Sequence, residues 1–280
     1  MKKHLFSLLV ALVATAGSLP MAAQEAYTVL TEPDSTLTFY YDNLRSTRPG
    51  TKYDMPTTGA TPGWAGNIFT PQEKIKHAVF DVSFADYRPT STNSWFRYCV
   101  KLQDVKGIRN LNTANVTDMH GMFNKCRSLA SLDLSSFNTE KVTDMREMFG
   151  YCMSLTSLDL TGFNTANVTD MTIMFRGSSS LTTIYCNDDW SVGGKVDYYR
   201  GMFSKCPNLK GDGAAYDSSK TGIEMANPTT GYFTTMTTGI DHVTAAGKVG
   251  DGKTYDLSGR LVSKNYKGVV VTNGRKILQR

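Results

Sequence analysis

Residues 113–138 read TANVTDMHGMFNKCRSLASLDLSSFN, and residues 139–164 follow without a gap as TEKVTDMREMFGYCMSLTSLDLTGFN. The two copies match at 16 of 26 positions. Residues 165–190, TANVTDMTIMFRGSSSLTTIYCNDDW, keep the first two thirds of the motif and then drift. A fixed period in this range, with Leu at L-x-x-L-x-L spacing, is the signature of a leucine-rich-repeat solenoid. The predicted fold class is therefore α/β. It has a parallel β-sheet on the concave face, short helices on the convex face, a β-rich N-terminal cap and a small C-terminal β domain.

The chemistry of one coil supports that reading. Leu129, Leu132 and Leu134 outline a short strand, and Asp133 alternates to the outside. Leu155, Leu158 and Leu160 repeat the pattern, as do Leu181, Ile184 and Cys186. Met119, Met122, Phe123 and Cys126 fall at i, i+3, i+4 and i+7, which predicts one buried face of a short helix. Thr117 is placed to cap it, and Asp118 lies in its first turn, where a carboxylate favours the dipole.

The repeat extends in both directions. Trp95-Phe96, Cys99 and Leu102 align with Met122-Phe123, Cys126 and Leu129 after a shift of 27 residues. Beyond a two-residue insertion near Gly193-Gly194, Val196, Met202-Phe203, Cys206 and Leu209 recover the pattern. The expected organisation is a signal peptide at 1–23, a β-rich cap at 24–93 and the solenoid at 94–233. A linker at 234–239 and a small β domain at 240–280 follow. In the cap, strands are expected at 36–41 and 77–84, where Phe80, Val82 and Phe84 alternate on one face. In the tail they are expected at 253–257, 260–262, 268–272 and 275–278, with turns at Ser258-Gly259 and Asn273-Gly274.

Lys2, Lys3 and the apolar run 5–16 read as a secretory leader cleaved near Ala23. No later stretch reaches the roughly 18 apolar residues of a spanning helix. The mature chain is thus expected to be secreted or held at the outer cell surface. The formal charge is +5, and residues 240–280 alone hold eight Lys/Arg against three Asp/Glu. No basic stripe interleaved with aromatic residues marks the repeats, so a nucleic-acid partner is not expected.

Several residues invite chemistry. Cys99, Cys126, Cys152 and Cys206 share one repeat position, with Ser178 in the intervening coil, and Cys186 takes a strand-core position. Neighbouring coils stand too far apart for bridging, and no His keeps ligand spacing, so buried free thiols are expected rather than disulfides or zinc. The column Asp118, Asp144 and Asp170 is read as capping rather than calcium, because Val, Thr and Met surround it. The mature chain has only His77, His120 and His242, and no catalytic motif at usable spacing. No enzyme activity, cofactor or metal is expected. Ser131, Asp133, Ser157, Asp159, Thr183 and Tyr185 point outward on the strands and form the candidate binding surface, the alternative being ordinary solvated positions.

The consensus V-T-D-M-x-x-M-F-x-x-C-x-S-L-x-S-L-D-L-x-x-F-N-T resembles the BspA-type leucine-rich-repeat surface proteins and Mycoplasma-type lipoproteins of unknown function. The resemblance covers roughly residues 27–233, including Phe80-Asp81, Arg88-Pro89-Thr90 and Trp95-Phe96 in the cap. It departs from standard leucine-rich repeats at Phe137 and Phe163, which stand where the ladder Asn falls, with Asn138 and Asn164 one residue later. The tail resembles the C-terminal sorting domains of Bacteroidetes type IX secretion cargo, and similar tails end many gut Bacteroides and Prevotella proteins. Its candidate signal residues are Gly259, Arg260, Gly268, Gly274 and Lys276. These resemblances imply a non-catalytic surface protein that binds host matrix or bacterial surface proteins and meets a secretion machinery through its tail. The alternative is a structural or self-associating surface protein without a dedicated ligand.

Overall fold

The computed structural model describes residues 23–57, 59–195, 197 and 201–236, with the backbone of strands at 254–256, 268–272 and 275–279. The N-terminal sheet contains β1 (Glu25–Thr31), β2 (Thr36–Asp42), β3 (Thr51–Asp54), β4 (His77–Phe80) and β5 (Asp104–Lys106), in the order β3-β1-β2-β4-β5. β1 is antiparallel to β2 and β3, whereas β2, β4 and β5 run parallel. β5 belongs to the first coil, so cap and coils share one sheet and one continuous apolar core. Phe39 sits at the junction, stacked on Phe80 at 4.4 Å and on Trp95 at 5.5 Å.

The expected strand at 77–84 stops at Phe80. Asp81 accepts a hydrogen bond from Ser83 N–H and starts a 3-10 helix at Val82–Asp86. The changed period keeps Phe84 buried and leaves Val82 77% exposed, so the predicted Phe80/Val82/Phe84 face does not form. β1, whose Tyr27, Val29 and Leu30 are buried, was not anticipated.

The repeats stack on a second ladder. The N–H groups of Met119, Gly121, Phe123 and Lys125 donate to the carbonyls of Asp144, Arg146, Met148 and Gly150 in the next coil, at 2.7–3.0 Å. Met145, Glu147, Phe149 and Tyr151 do the same one coil on. Between these bonds the chain folds back in three-residue turns, Met122 to Met119, Asn124 to Gly121 and Cys126 to Phe123. The expected convex helices are therefore absent from the described repeats, which carry sheet-like bonds and turns instead. The reason is competition for donors. A helix of about nine residues is marginal in isolation, whereas a stacked coil offers every second N–H a carbonyl on its neighbour. Met119, Met122, Phe123 and Cys126 are still fully buried, because successive turns reproduce the spacing of a helix face.

Thr117 is not a helix cap. Its N–H and hydroxyl donate to Thr90 O, and Thr143 and Thr169 continue the ladder onto Thr117 O and Thr143 O. Asp118, Asp144 and Asp170 do cap, but they cap turns, accepting from His120, Arg146 and Thr172 N–H at 2.9 Å.

The turns place Gly121, Glu147 and Ile173 at one repeat position with φ of 59°, 55° and 51°. Left-handed backbone suits Gly and is poorest for a β-branched residue. Gly121→Ile should therefore cost about 1–2 kcal/mol in urea unfolding, and Ile173→Asn should gain about 0.5 kcal/mol. Equal and near-zero changes would remove the strain argument.

Inside, identical residues stack. Phe96, Phe123, Phe149, Phe175 and Phe203 form a column with centroids 5.4–6.0 Å apart. Phe137, Phe163 and Trp190 form a second one at 6.4–6.5 Å. On the leucine side, β6 (Ser157–Asp159), β7 (Thr183–Tyr185) and β8 (Phe233–Thr234) pair in parallel. Residues 131–133 occupy the equivalent place one coil earlier but form no strand. Their coil is held mainly through the four bonds of the opposite ladder. In the tail, β9 (Thr254–Asp256), β10 (Gly268–Thr272) and β11 (Arg275–Gln279) form an antiparallel sheet in the order β11-β10-β9. Thr272 pairs with Arg275, which leaves the two-residue connection expected at 273–274.

Candidate functional site

The outward side chains of the leucine-side strands line up in two rows, because every β-strand turns alternate residues to the same face. In β6 and β7, Ser157 pairs with Thr183 and Asp159 with Tyr185. Ser131, Asp133, Ser157 and Asp159 are exposed, whereas Thr183 and Tyr185 are half-buried. The inward neighbours Leu158 and Ile184 are buried, as the alternation requires.

Each aspartate in these rows has a local task as well. Asp133 Oδ1 accepts from Ser135 N–H at 3.0 Å and from its hydroxyl at 2.7 Å. Asp159 is bound by Thr161 in the same way. The Ser135 hydroxyl and N–H hold the Asp133 carboxyl below the usual carboxylate range, so it is ionised at neutral pH.

The face reaches further than the repeats suggested. The 27-residue shift that equates Leu102 with Leu129 also places Asp104 and Lys106 at the positions of Ser131 and Asp133. That signal lay in the sequence. His77 had none, because only the parallel pairing of β4 with β5 brings it opposite Asp104. His77 Nδ1 lies 2.7 Å from Asp104 Oδ2, and both side chains are partly exposed. At the far end, the insertion around Gly193-Gly194 opens a groove of about 570 Å³ beside Asp188, Asp189 and residues 161–166.

The cysteine column is structural. All five cysteines are buried and unpaired. The thiols of Cys126, Cys152 and Cys206 each donate to the carbonyl of a phenylalanine in the preceding coil, Phe96, Phe123 and Phe175, at 3.1 Å. Ser178 makes the same bond to Phe149 O at 2.7 Å. The position therefore selects a small donor, which explains how Ser substitutes for Cys. Burial pushes the thiols of Cys152 and Cys206 up to about 12. Unfolded thiols ionise near their ordinary value of 9.0, so the folded state holds more protons between that value and about 12. Stability should then fall as pH rises through this window. Tyr27, raised to about 12 chiefly by burial, acts in the same direction. A Cys152→Ser variant should lose less stability than wild type between pH 8 and pH 10.5 (about 1 kcal/mol less), measured by urea midpoints. Identical slopes would contradict the assignment.

Among the described residues, no group of three or more His, Cys, Asp or Glu side chains is placed to hold a metal ion. No helix among them is long and apolar enough to cross a membrane. Of the candidate sorting residues, Gly268 begins β10 opposite Gln279, and Lys276 lies on β11 opposite Val271. Gly259, Arg260 and Gly274 lie outside the described residues, as do most of the leader at 1–23 and most of the linker at 234–239.

Residues 90–225 match the family described as "Mycoplasma protein of unknown function, DUF285". The repeat region is similar to that family. The matched segment opens where Thr90 and Ser91 start the turn-side ladder, and it spans the coils described above. Among solved structures, similarity is found to the T. pallidum leucine-rich repeat protein TpLRR, at 18% identity and a TM-score of 0.33. The alignment covers 65% of this chain and 76% of that one. A likeness of this size bears on neither the fold nor the function. No curated protein matches the chain.

Proposed function

We propose that this chain is a secreted or cell-surface protein that binds other proteins, without catalysis, through the outward rows of its leucine-side strands. Adhesion to host matrix proteins or to other bacterial surfaces is the role we assign to it, with the C-terminal sheet addressing a secretion machinery. The observation that supports this reading is the outward face itself. It is a continuous run of short polar side chains, His77, Asp104, Lys106, Asp133, Asp159 and Tyr185 among them, presented on strands whose other face is fixed in the core. Stacked coils of this kind offer extended faces to macromolecular partners.

The test is an array of matrix and bacterial surface proteins probed with the full chain and with an Asp133→Asn/Asp159→Asn/Tyr185→Ala variant. Asn keeps the oxygen that accepts from Ser135 and Thr161, so the turns survive. Expected is a captured partner whose affinity drops about tenfold or more in the variant. Unchanged affinity would move the site off this face. The self-associating alternative has one observation in its favour, the outer edge of β3 at the end of the N-terminal sheet. Concentration-dependent assembly in sedimentation, with no partner captured, would favour it.

A further inference from the structure

A second site lies away from the leucine-side face, where the loop at 55–60 meets the segment leading into the first coil. A cavity of about 180 Å³ opens there between Pro56, Thr57, Tyr87, Arg88 and Thr90, with Trp95 at its base. Trp95 is 1% exposed, and its ring is locked against Phe39 and Phe80. Its backbone is fully used, since the N–H donates to Thr92 O and the carbonyl accepts from the Trp64 indole at 2.6 Å. The indole N–H of Trp95 has no acceptor. A buried donor left unpaired costs about 1–3 kcal/mol, which an arriving acceptor would recover.

Arg88 sets the charge of the site. Its Nη1 donates to Ala85 O at 2.6 Å and to Tyr87 O at 3.0 Å, which holds the guanidinium at the cavity wall. Among the described residues no Asp or Glu lines the cavity, so its one formal charge is positive. Thr57 and Thr90 add hydroxyls and Tyr87 an aromatic wall.

We infer that this cavity takes a small carboxylate, held by the Arg88 guanidinium and the Trp95 indole N–H. The carboxylate of an acidic sugar, of a peptide C-terminus or of a free organic acid presents the same chemistry. The site is independent of the protein-binding face proposed above.

Nuclear magnetic resonance of the full chain tests it, because Trp64, Trp95 and Trp190 are its three tryptophans and give three indole N–H signals. Glucuronate, N-acetylglycine and acetate would be titrated separately, with glucose as the uncharged control. Expected is a saturable shift of the Trp95 signal with at least one carboxylate and none with glucose. The best of the three identifies the source. Trp95→Phe keeps the ring stack and removes the donor, and Arg88→Gln removes the charge at the surface. Each should weaken binding about tenfold or more. Silence from all three carboxylates would leave only a buried water on the indole and overturn the inference, as would an equal response to glucose. Should Trp95→Phe fold poorly, the Arg88→Gln comparison decides, and unaltered affinity there equally overturns it.

Discussion

Phe149→Ala should lower the unfolding free energy by about 3–5 kcal/mol, the largest loss expected from any single truncation in the repeats. Phe149 is fully buried, at the centre of its column, with Phe123 at 6.0 Å and Phe175 at 5.9 Å, both nearly parallel to it. Truncation leaves a cavity that relaxes poorly, because the backbone on either side is tied to its neighbours. Phe149 N–H donates to Met174 O, and Phe149 O accepts from Ser178. Two ring contacts are lost as well, each worth about 0.5–1.5 kcal/mol beyond area. Phe203→Ala, near the end of the column, should cost less if stacking on both sides matters. Urea unfolding of both variants measures this, and a loss under about 1.5 kcal/mol for Phe149→Ala would show that the column is not a rigid stack.

Gly231→Ala is the second. Gly231 passes so close to the turn before it that an added Cβ would lie 2.1 Å from Met225 O and 2.6 Å from Asn227 O. Those carbonyls receive the N–H groups of Tyr232 and Phe233, so the methyl group displaces the two aromatic residues that close the last coil. Backbone offers no rotamer to yield, and a loss of about 3 kcal/mol is expected. In a stack of coils the damage should stay local. Hydrogen exchange should rise at Tyr232 and Phe233 while the Phe123 and Phe149 amides keep their protection. Unchanged protection at Tyr232 and Phe233 would contradict the packing described.

The sequence reading was right about residues wherever it depended on which side chains are buried, and wrong where it had to name a backbone shape. Met119, Met122, Phe123 and Cys126 are buried as the i, i+3, i+4, i+7 pattern requires, but no helix carries them. The alternation across residues 80–84 failed for the opposite reason. A single Asx turn at Asp81 shifted the period, and Val82 went to solvent. On the outward face, Asp104 and Lys106 were available from the repeat register. His77 was not, because its place depends on a pairing between a strand outside the repeats and one inside them.

The repeat at 113–190 therefore determined by itself that coils of 26 residues would stack, which columns would be apolar and which residues of the leucine segment would face outward. These follow from identical side chains recurring at equal intervals, which bury apolar surface only when copies lie in register. The tertiary structure decided what the sequence pattern leaves degenerate. A nine-residue amphipathic segment can bury the same face as a helix or as a run of turns. The neighbouring coil, by offering carbonyls to Met119, Gly121, Phe123 and Lys125, settled it as turns. The same stacking gave the thiol column its purpose as donors to phenylalanine carbonyls and left Trp95 with an unpaired N–H, because both depend on atoms that meet only when distant coils pack.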